Sequence, residues 1–186
     1  MSDAIDLPLE ALPEILIVPD KRLRVKARRI GTDDRTNVAR LAETMLAVMY
    51  KAPGIGLAAP QIGVSLRLVV IDLAPDGSPA PMVMINPEIM RVSHQLVSRE
   101  EGCLSLPGQY ADVTRPAELV VAFESVTGKR ESVEADGLLA ACIQHEIDHL
   151  DGVLFVDHLS ALKRNILLRK LAKEQRDKLS AVKPVR

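Results

Sequence analysis

The stretch Cys142–Gly152, CIQHEIDHLDG, places two histidines and a glutamate inside an otherwise apolar segment. Residues four apart lie on one face of a helix, so His145 and His149 can aim their ring nitrogens at one point. The run GLLAACIQHEIDHL that follows Asp136 is apolar on nearly every face, which is typical of a helix enclosed by sheet on most sides. The pattern predicts a buried helix capped by Asp136, whose polar groups need partners.

Length and composition favour one globular domain over residues 1–186. Hydrophobic residues make up 47% of the chain and aromatic residues only 2%, so the core must be built from aliphatic side chains and methionine. This composition argues against disordered and fibrous proteins.

The first ten residues, MSDAIDLPLE, contain acidic residues and proline where a secretory signal would need a basic start. No later segment approaches the roughly 18 uninterrupted apolar residues of a membrane span. We therefore expect a cytoplasmic protein without membrane contact. In such a chain the two cysteines, Cys103 and Cys142, are more often buried residues or ligands than a disulfide.

Around the central helix the chain alternates between helical and extended patterns. Apolar spacing over residues 31–54 predicts a helix capped by Thr32 or Asp33 and ended by Pro53-Gly54. The runs LRLVVIDL, MVMINPEI, ELVVAFES and KRESVEA predict strands separated by turns, with a hairpin tip at Thr127-Gly128. The order predicts an α+β fold, with mostly antiparallel sheets around the buried His-Glu-x-x-His helix and a C-terminal helix.

The His-Glu-x-x-His spacing predicts a metal site. On a helix, His145 and His149 can bind one divalent ion while Glu146 handles the proton of a water molecule. The alternative is two ordinary buried histidines. His94 and His158 have no ligand spacing around them and are interpreted as surface or capping histidines.

Catalytic zinc-type sites take three protein ligands and keep one position open, so a third ligand is needed. A metzincin would require histidine at Phe155, and the downstream Glu174 lies among basic residues as a solvated charge would. Cys103, in the Gly-flanked segment EEGCLSLPG, offers a thiolate, which is a strong ligand. Cys142 fits better as a small buried residue. Cys103 is the predicted third ligand.

Three motifs carry a family resemblance: GIGLAAPQIG at Gly54–Gly63, EGCLS at Glu101–Ser105 and QHEIDHLDG at Gln144–Gly152. In this order they resemble those of peptide deformylases, and the likeness runs from about Ile15 to the C-terminal helix. The resemblance implies an enzyme that hydrolyses the N-formyl group from the initiator methionine of new polypeptides and releases formate.

The resemblance also implies individual roles. The metal ligands would be Cys103, His145 and His149. Glu146 would be the general base and acid, and Gln61 with the Leu104 backbone N–H would donate to the oxyanion. The substrate-binding residues would be Gly54, Ile55, Gly56 and Gly102. Of these, Ile55 and Gly56 would bind the substrate main chain as an added strand. Arg115 would pair with Glu101 as support for the site.

Metal chemistry suits this reaction, because a bound ion can lower the pKa of water to about 7. Two neutral imidazoles and a thiolate are compatible with zinc, iron(II), nickel or cobalt. The resemblance implies iron(II) as the native ion.

Three residues depart from the family pattern: Arg99, Tyr110 and Ala141. We expect them to border the pocket for the methionine side chain. The side-chain preference of this pocket is therefore the least predictable property of the site.

The C-terminal segment is basic. Residues 159–186 hold nine Lys or Arg against Glu174 and Asp177, so a net charge of +7 there leaves −8 on the rest. We expect a helix at about 159–180 with Leu159, Leu162 and Ile166 on one side. Contact with ribosomal RNA and simple docking on the body are both consistent with this charge. We expect a monomer.

Two other functions share part of the evidence. A zinc-type metalloprotease would use the same helix motif, and a non-catalytic metal-binding module of the translation apparatus would use the same ligands. Glu146 argues against the second, because a structural site closes all four positions and needs no proton carrier.

Overall fold

The computed structural model describes residues 12–74 and 77–182. Its α-helices are α1 (Arg35–Lys51), α2 (Gly137–Leu150) and α3 (Ala161–Val182). Its strands are β1 (Gly56–Ala58), β2 (Leu68–Ile71), β3 (Met82–Val92), β4 (Leu96–Cys103), β5 (Leu106–Pro116), β6 (Glu118–Glu124) and β7 (Arg130–Asp136). Short 3-10 helices cover Lys21–Arg24, Ala59–Ile62 and Phe155–His158.

The strands form two antiparallel sheets. One has five strands in the order β1-β2-β3-β6-β7, and the other is the β4-β5 hairpin. The predicted α+β class with antiparallel sheets is confirmed. The predicted hairpin tip is also confirmed, because Gly128 takes a φ of 83° in the turn that joins β6 to β7.

Strand β2 lies between two helices, which explains why it is apolar throughout. Its four residues are all buried, and side chains alternate between the two faces of a strand. Val69 and Ile71 pack in the cluster that contains α2, whereas Leu68 and Val70 pack in the cluster that contains α1. Helix α2 is therefore covered by the sheet, and its Ile143 and Leu150 are fully buried.

The predicted start of α1 is wrong, whereas the predicted start of α2 after Asp136 is confirmed. Helix α1 begins after Asp34 rather than after Thr32 or Asp33, and the Asp34 carboxylate accepts hydrogen bonds from Gly31 N and Arg28. Asp136 is the residue before α2, but within the described residues its side chain makes no capping hydrogen bond.

The β4-β5 hairpin was not predicted. Its strands read LVSREEGC and LPGQYADVTRP, and the charged residues hide the apolar alternation that marked the other strands. The two strands pair from Leu96, opposite Pro116, to Gly102, opposite Tyr110. The chain reverses tightly between Cys103 and Leu106. Cys103 is thus placed at the tip of a hairpin, consistent with its turn-like sequence.

Helix α3 docks on the body through a face that the sequence interpretation did not identify. Leu171 is 2% exposed and packs with Leu167 and Leu168 on a cluster that includes Leu106 and Phe155. Of the stripe named from the sequence, Leu159 packs against this cluster. The other two members, Leu162 and Ile166, are 72% and 55% exposed.

No helix within the described ranges is both long and apolar enough to cross a membrane.

Candidate metal centre

Cys103, His145 and His149 converge in space. One potential ligand atom from each lies within 4.8 Å of the others, and Cys103 Sγ is 3.1 Å from His149 Nε2. The two histidines lie one turn apart on α2, and the cysteine comes from the end of β4. A thiol and two imidazoles are a donor set suited to borderline divalent metals, so these residues fit one ion.

The His145 ring is oriented by a buried carboxylate. His145 Nδ1 lies 2.9 Å from Glu101 Oε2, which leaves Nε2 as the nitrogen available to a metal. Arg115 donates to both Glu101 oxygens, at 2.6 and 3.0 Å, so the predicted Arg115–Glu101 pair is confirmed. Burial acts to raise the pKa of Glu101, but the hydrogen bonds from His145 and Arg115 outweigh it and bring the pKa to about 2.

The two imidazoles are in different electrostatic environments. Burial lowers the pKa of His149 well below its usual value, and the charge of His145 adds to this effect. Burial also acts to lower the pKa of His145, but its interactions with Cys103 and Glu101 reverse the sign and raise the pKa well above its usual value. His149 is therefore neutral and available as a ligand, and a cation entering the cluster would displace the proton of His145.

Glu146 is buried beside this cluster, and its Oε2 has no hydrogen-bond partner among the described residues. Burial raises the pKa of Glu146 to about 7, and other charges act more weakly. A carboxyl group with a pKa near neutrality and an unused oxygen can accept and return a proton.

A cleft of about 750 Å³ opens onto the cluster. Four predicted substrate-binding residues line it: Gly54, Ile55, Gly56 and Gly102. The three departures from the family pattern line it as well: Arg99, Tyr110 and Ala141. The Tyr110 ring covers Gly102, where a Cβ atom would lie 2.7 Å from Tyr110 Cδ1.

Gln61 and Leu104 lie beside the thiol. Gln61 is buried, its Oε1 accepts from Ala58 N at 2.9 Å, and its Nε2 lies 3.2 Å from Ser105 Oγ and 3.6 Å from Cys103 Sγ. The amide group therefore turns its N–H groups toward the cluster. Leu104 follows Cys103 directly in the chain, and its side chain lies against Gly54.

The rejected ligand candidates lie outside the cluster. Glu174 accepts a hydrogen bond from Gln109 Nε2 at 3.0 Å, and Phe155 is a buried core residue that stacks on the His145 ring. Cys142 is buried in the cleft wall near Ile55, and burial raises the pKa of its thiol well above the usual value.

Two residues near the site were missed by sequence reasoning. Asp148 accepts from Arg115 Nη1 at 2.8 Å, and His158 Nε2 lies 2.7 Å from the same Asp148 oxygen. The position of Asp148 next to His149 on α2 is a feature of the sequence that could have pointed to it. The contact between Asp148 and His158 joins two separate elements, so no pattern of consecutive residues predicts it.

The chain is similar to proteins of one known family. Residues 12–165 match the family model described as polypeptide deformylase. The chain is 54% identical to a peptide deformylase of Agrobacterium fabrum, covering 89% of this chain and 97% of the relative. It is 50% identical to one of Methylocella silvestris, covering 94% and 90%.

Solved structures show the same likeness. A peptide deformylase crystal structure from Legionella pneumophila superposes with a TM-score of 0.84 at 48% identity, covering 94% of this chain and 100% of the other. One from Synechococcus elongatus in complex with actinonin superposes with a TM-score of 0.80 at 45% identity, covering 85% and 86%.

Proposed function

The chain belongs to the peptide deformylase family, and from this premise we propose that Cys103, His145 and His149 hold the metal ion at which it acts. It is an enzyme that removes the N-formyl group from nascent polypeptides and releases formate. We propose that α2 is the central helix on which the His-Glu-x-x-His motif is presented. The convergence of the three donor atoms within 4.8 Å is the observation that carries this proposal.

The substrate is a peptide that starts with formylmethionine. Strand β1 is at the edge of the five-stranded sheet, because it pairs only with β2 within the described residues. An extended peptide can add to such an edge. Gly54, Ile55 and Gly56 then bind its main chain, and Gly102 lines the same cleft.

The reaction needs a nucleophile, a proton carrier and a stabiliser of negative charge. A divalent ion, when bound, supplies a Lewis acid and lowers the pKa of water to about 7. Glu146 takes a proton from the water whose oxygen attacks the formyl carbon, and returns a proton to the amine as the C–N bond breaks. Gln61 Nε2 and the Leu104 N–H donate to the formyl oxygen as it gains charge, at about 3 kcal/mol for each donor.

We propose iron(II) as the native ion, with zinc, nickel or cobalt as possible substitutes. The thiol and two imidazoles accept all four. Metal analysis of protein purified without oxygen tests this point, and zinc as the main metal under those conditions would contradict it.

Replacement of Glu146 tests the proposed reaction. Glu146→Gln keeps the shape of the side chain but removes the proton carrier, so formate release from a formyl-Met peptide should fall about 10²–10⁴-fold. Metal content should stay at the wild-type level, because Glu146 is not a ligand. The matched control is Glu174→Gln, which changes a glutamate outside the cleft and should leave activity unchanged.

Loss of metal in Glu146→Gln would mean that Glu146 is a ligand and would contradict its role. Turnover of unformylated peptides at internal bonds would support the metalloprotease instead. A wild-type protein that binds metal but releases no formate would support the non-catalytic module.

The remaining expectations are also proposals. We propose that residues 1–186 act as one metallohydrolase domain, as a monomer in the cytoplasm. Residues 1–11, 75–76 and 183–186 lie outside the described part of the chain.

We propose that α3 contacts ribosomal RNA. The basic residues exposed on α3 include Lys163, Arg169, Lys170 and Lys173. Changing these four to glutamine should weaken co-sedimentation with ribosomes at low salt, because phosphate contacts depend on positive charge. The control changes four exposed basic residues elsewhere: Lys21, Lys26, Arg91 and Lys129. Equal binding by both variants would contradict the contact.

A further inference from the structure

The Glu101–His145 contact is the inner end of a chain of hydrogen bonds that reaches the surface. His158 Nε2 lies 2.7 Å from Asp148 Oδ2, and the same oxygen accepts from Arg115 Nη1 at 2.8 Å. Arg115 then donates to both oxygens of Glu101, whose Oε2 lies 2.9 Å from His145 Nδ1.

We propose that His158 is a positioning residue for the metal centre. It holds the Asp148 carboxylate against Arg115, and Arg115 in turn holds Glu101 against the His145 ring. The inference rests on the proposed role of His145 as a ligand. The sequence around His158 predicts only an ordinary surface or capping histidine.

The burial of the side chains along this series of hydrogen bonds explains why His158, at its outer end, affects the metal centre. The side chains of Arg115 and Glu101 are 7% and 8% exposed, whereas those of Asp148 and His158 are 23% and 34% exposed. Water can therefore compete for the Asp148 carboxylate but not for Glu101. Without the His158 donor, Asp148 is free to turn toward water and release Arg115 Nη1.

Arg115 passes this effect inward because its guanidinium group is rigid and planar. Nε and Nη2 are used on Glu101, and Nη1 is used on Asp148. If Nη1 loses its partner, the group can tilt, and the paired hydrogen bonds to Glu101 lose their geometry. Glu101 then orients His145 less well, and outer partners of this kind normally strengthen metal binding.

His158 is itself held in place by its own segment. It ends the 3-10 helix Phe155–His158, in which Phe155 is fully buried. In the same helix Asp157 accepts from Leu154 N at 2.9 Å and pairs with Arg24. A donor on such a fixed element can position its partner more precisely than a donor on a loop can.

The test measures metal release. Protein loaded with cobalt(II) is mixed with excess EDTA, and loss of the visible cobalt absorption is followed. Removal of a direct outer partner weakens metal affinity about 10–100-fold. Because His158 is three groups further out than Glu101, we expect His158→Phe to release cobalt about 3–10-fold faster, with an altered absorption spectrum. His158→Gln, which keeps a donor, should stay within about 2-fold of wild type.

Asp151→Asn is the matched control. Asp151 follows the last residue of α2 and pairs with Arg67 and Lys26. Within the described part of the chain, no hydrogen bond or ion pair joins its side chain to Arg115. It should leave cobalt release unchanged. Equal acceleration in Asp151→Asn and His158→Phe would show that any damage at this end of α2 has the same effect, and would overturn the inference.

A double variant tests the order of the chain. If His158 acts through Asp148, then adding His158→Phe to Asp148→Asn should give no further acceleration. Additive acceleration would overturn the inference, and so would a wild-type release rate in His158→Phe. A wild-type protein that binds no cobalt would instead overturn the metal centre, and this inference with it.

Discussion

At the residue scale, the proposed reaction depends on a glycine that lies against Glu146, the proposed general base. A Cβ atom at Gly56 would lie 2.8 Å from Cys142 Sγ and closer still to Glu146 Oε1. Both neighbours are buried, so neither side chain can move away easily. Gly56 therefore makes room for the Glu146 side chain at the edge of the cleft.

Gly56→Ala should lower the rate of formate release at least about tenfold, because the added methyl group displaces the Glu146 carboxylate from its working position. Metal content should not change, since the ligands are untouched. The control is Gly31→Ala, where the nearest atom to the new Cβ would be 3.9 Å away. A Gly56→Ala enzyme with full activity would contradict this account of the base.

The two cysteines give a second comparison at this scale. Cys103→Ser should lose most of its bound metal, because a hydroxyl group is a much weaker ligand than a thiolate. Cys142→Ala should keep the metal, because Cys142 lies in the cleft wall outside the ligand cluster. Metal analysis of both purified variants checks this, and the reverse pattern would mean that the ligands are misassigned.

At the scale of elements, α3 shows that burial is decided by neighbours rather than by apolar character alone. Leu171 and Leu162 are on the same helix, yet one is 2% exposed and the other 72%. The cluster that receives Leu171 includes Leu106 and also contacts Cys103, so the docked helix supports the hairpin that carries the thiol.

Leu171→Ala should lower the free energy of unfolding by about 2–5 kcal/mol, the usual effect of emptying a buried leucine site. Leu162→Ala should change it by less than about 0.5 kcal/mol, since an exposed side chain loses few contacts. Urea denaturation of both variants at one metal concentration compares them. Similar losses in the two would contradict the docking face described above.

At the scale of the whole molecule, the proposed metal ion joins parts that are far apart in the chain. Cys103 ends a strand of the two-stranded sheet, and the histidines belong to a helix that packs against the five-stranded sheet. An ion bound to all three stabilises only the folded protein, because the unfolded chain does not bring the ligands together.

Removal of the metal should therefore destabilise the entire fold. At a free metal concentration 100 times the dissociation constant, the loss is about 2.7 kcal/mol. Thermal unfolding with and without metal measures it as a lower melting temperature. Cys103→Ser should show a smaller difference, and an equal difference in wild type and Cys103→Ser would contradict the role of Cys103.

Prediction from sequence succeeded where a pattern is local. The helical spacing of His145 and His149, the apolar runs of β2 and β6, and the Thr127-Gly128 turn are each contained in a few consecutive residues. The Gly-flanked segment around Cys103 and the family resemblance predict that its thiol lies with the two histidines, as it does in the structure. The β4-β5 hairpin was missed because its charged strands lack clear alternation, and the α3 docking face was missed because it depends on what the helix packs against.

The kind of chemistry can be predicted from the amino-acid sequence: two imidazoles on one helix face, a thiol in a turn and a glutamate beside the histidines. Which of these groups come into contact depends on how the elements pack together. The chain from His158 through Asp148, Arg115 and Glu101 to His145 joins a 3-10 helix, two strands and α2. Such contacts depend on strand register and helix packing. Because they join residues of different elements, they do not follow from any regular spacing of residues in the sequence.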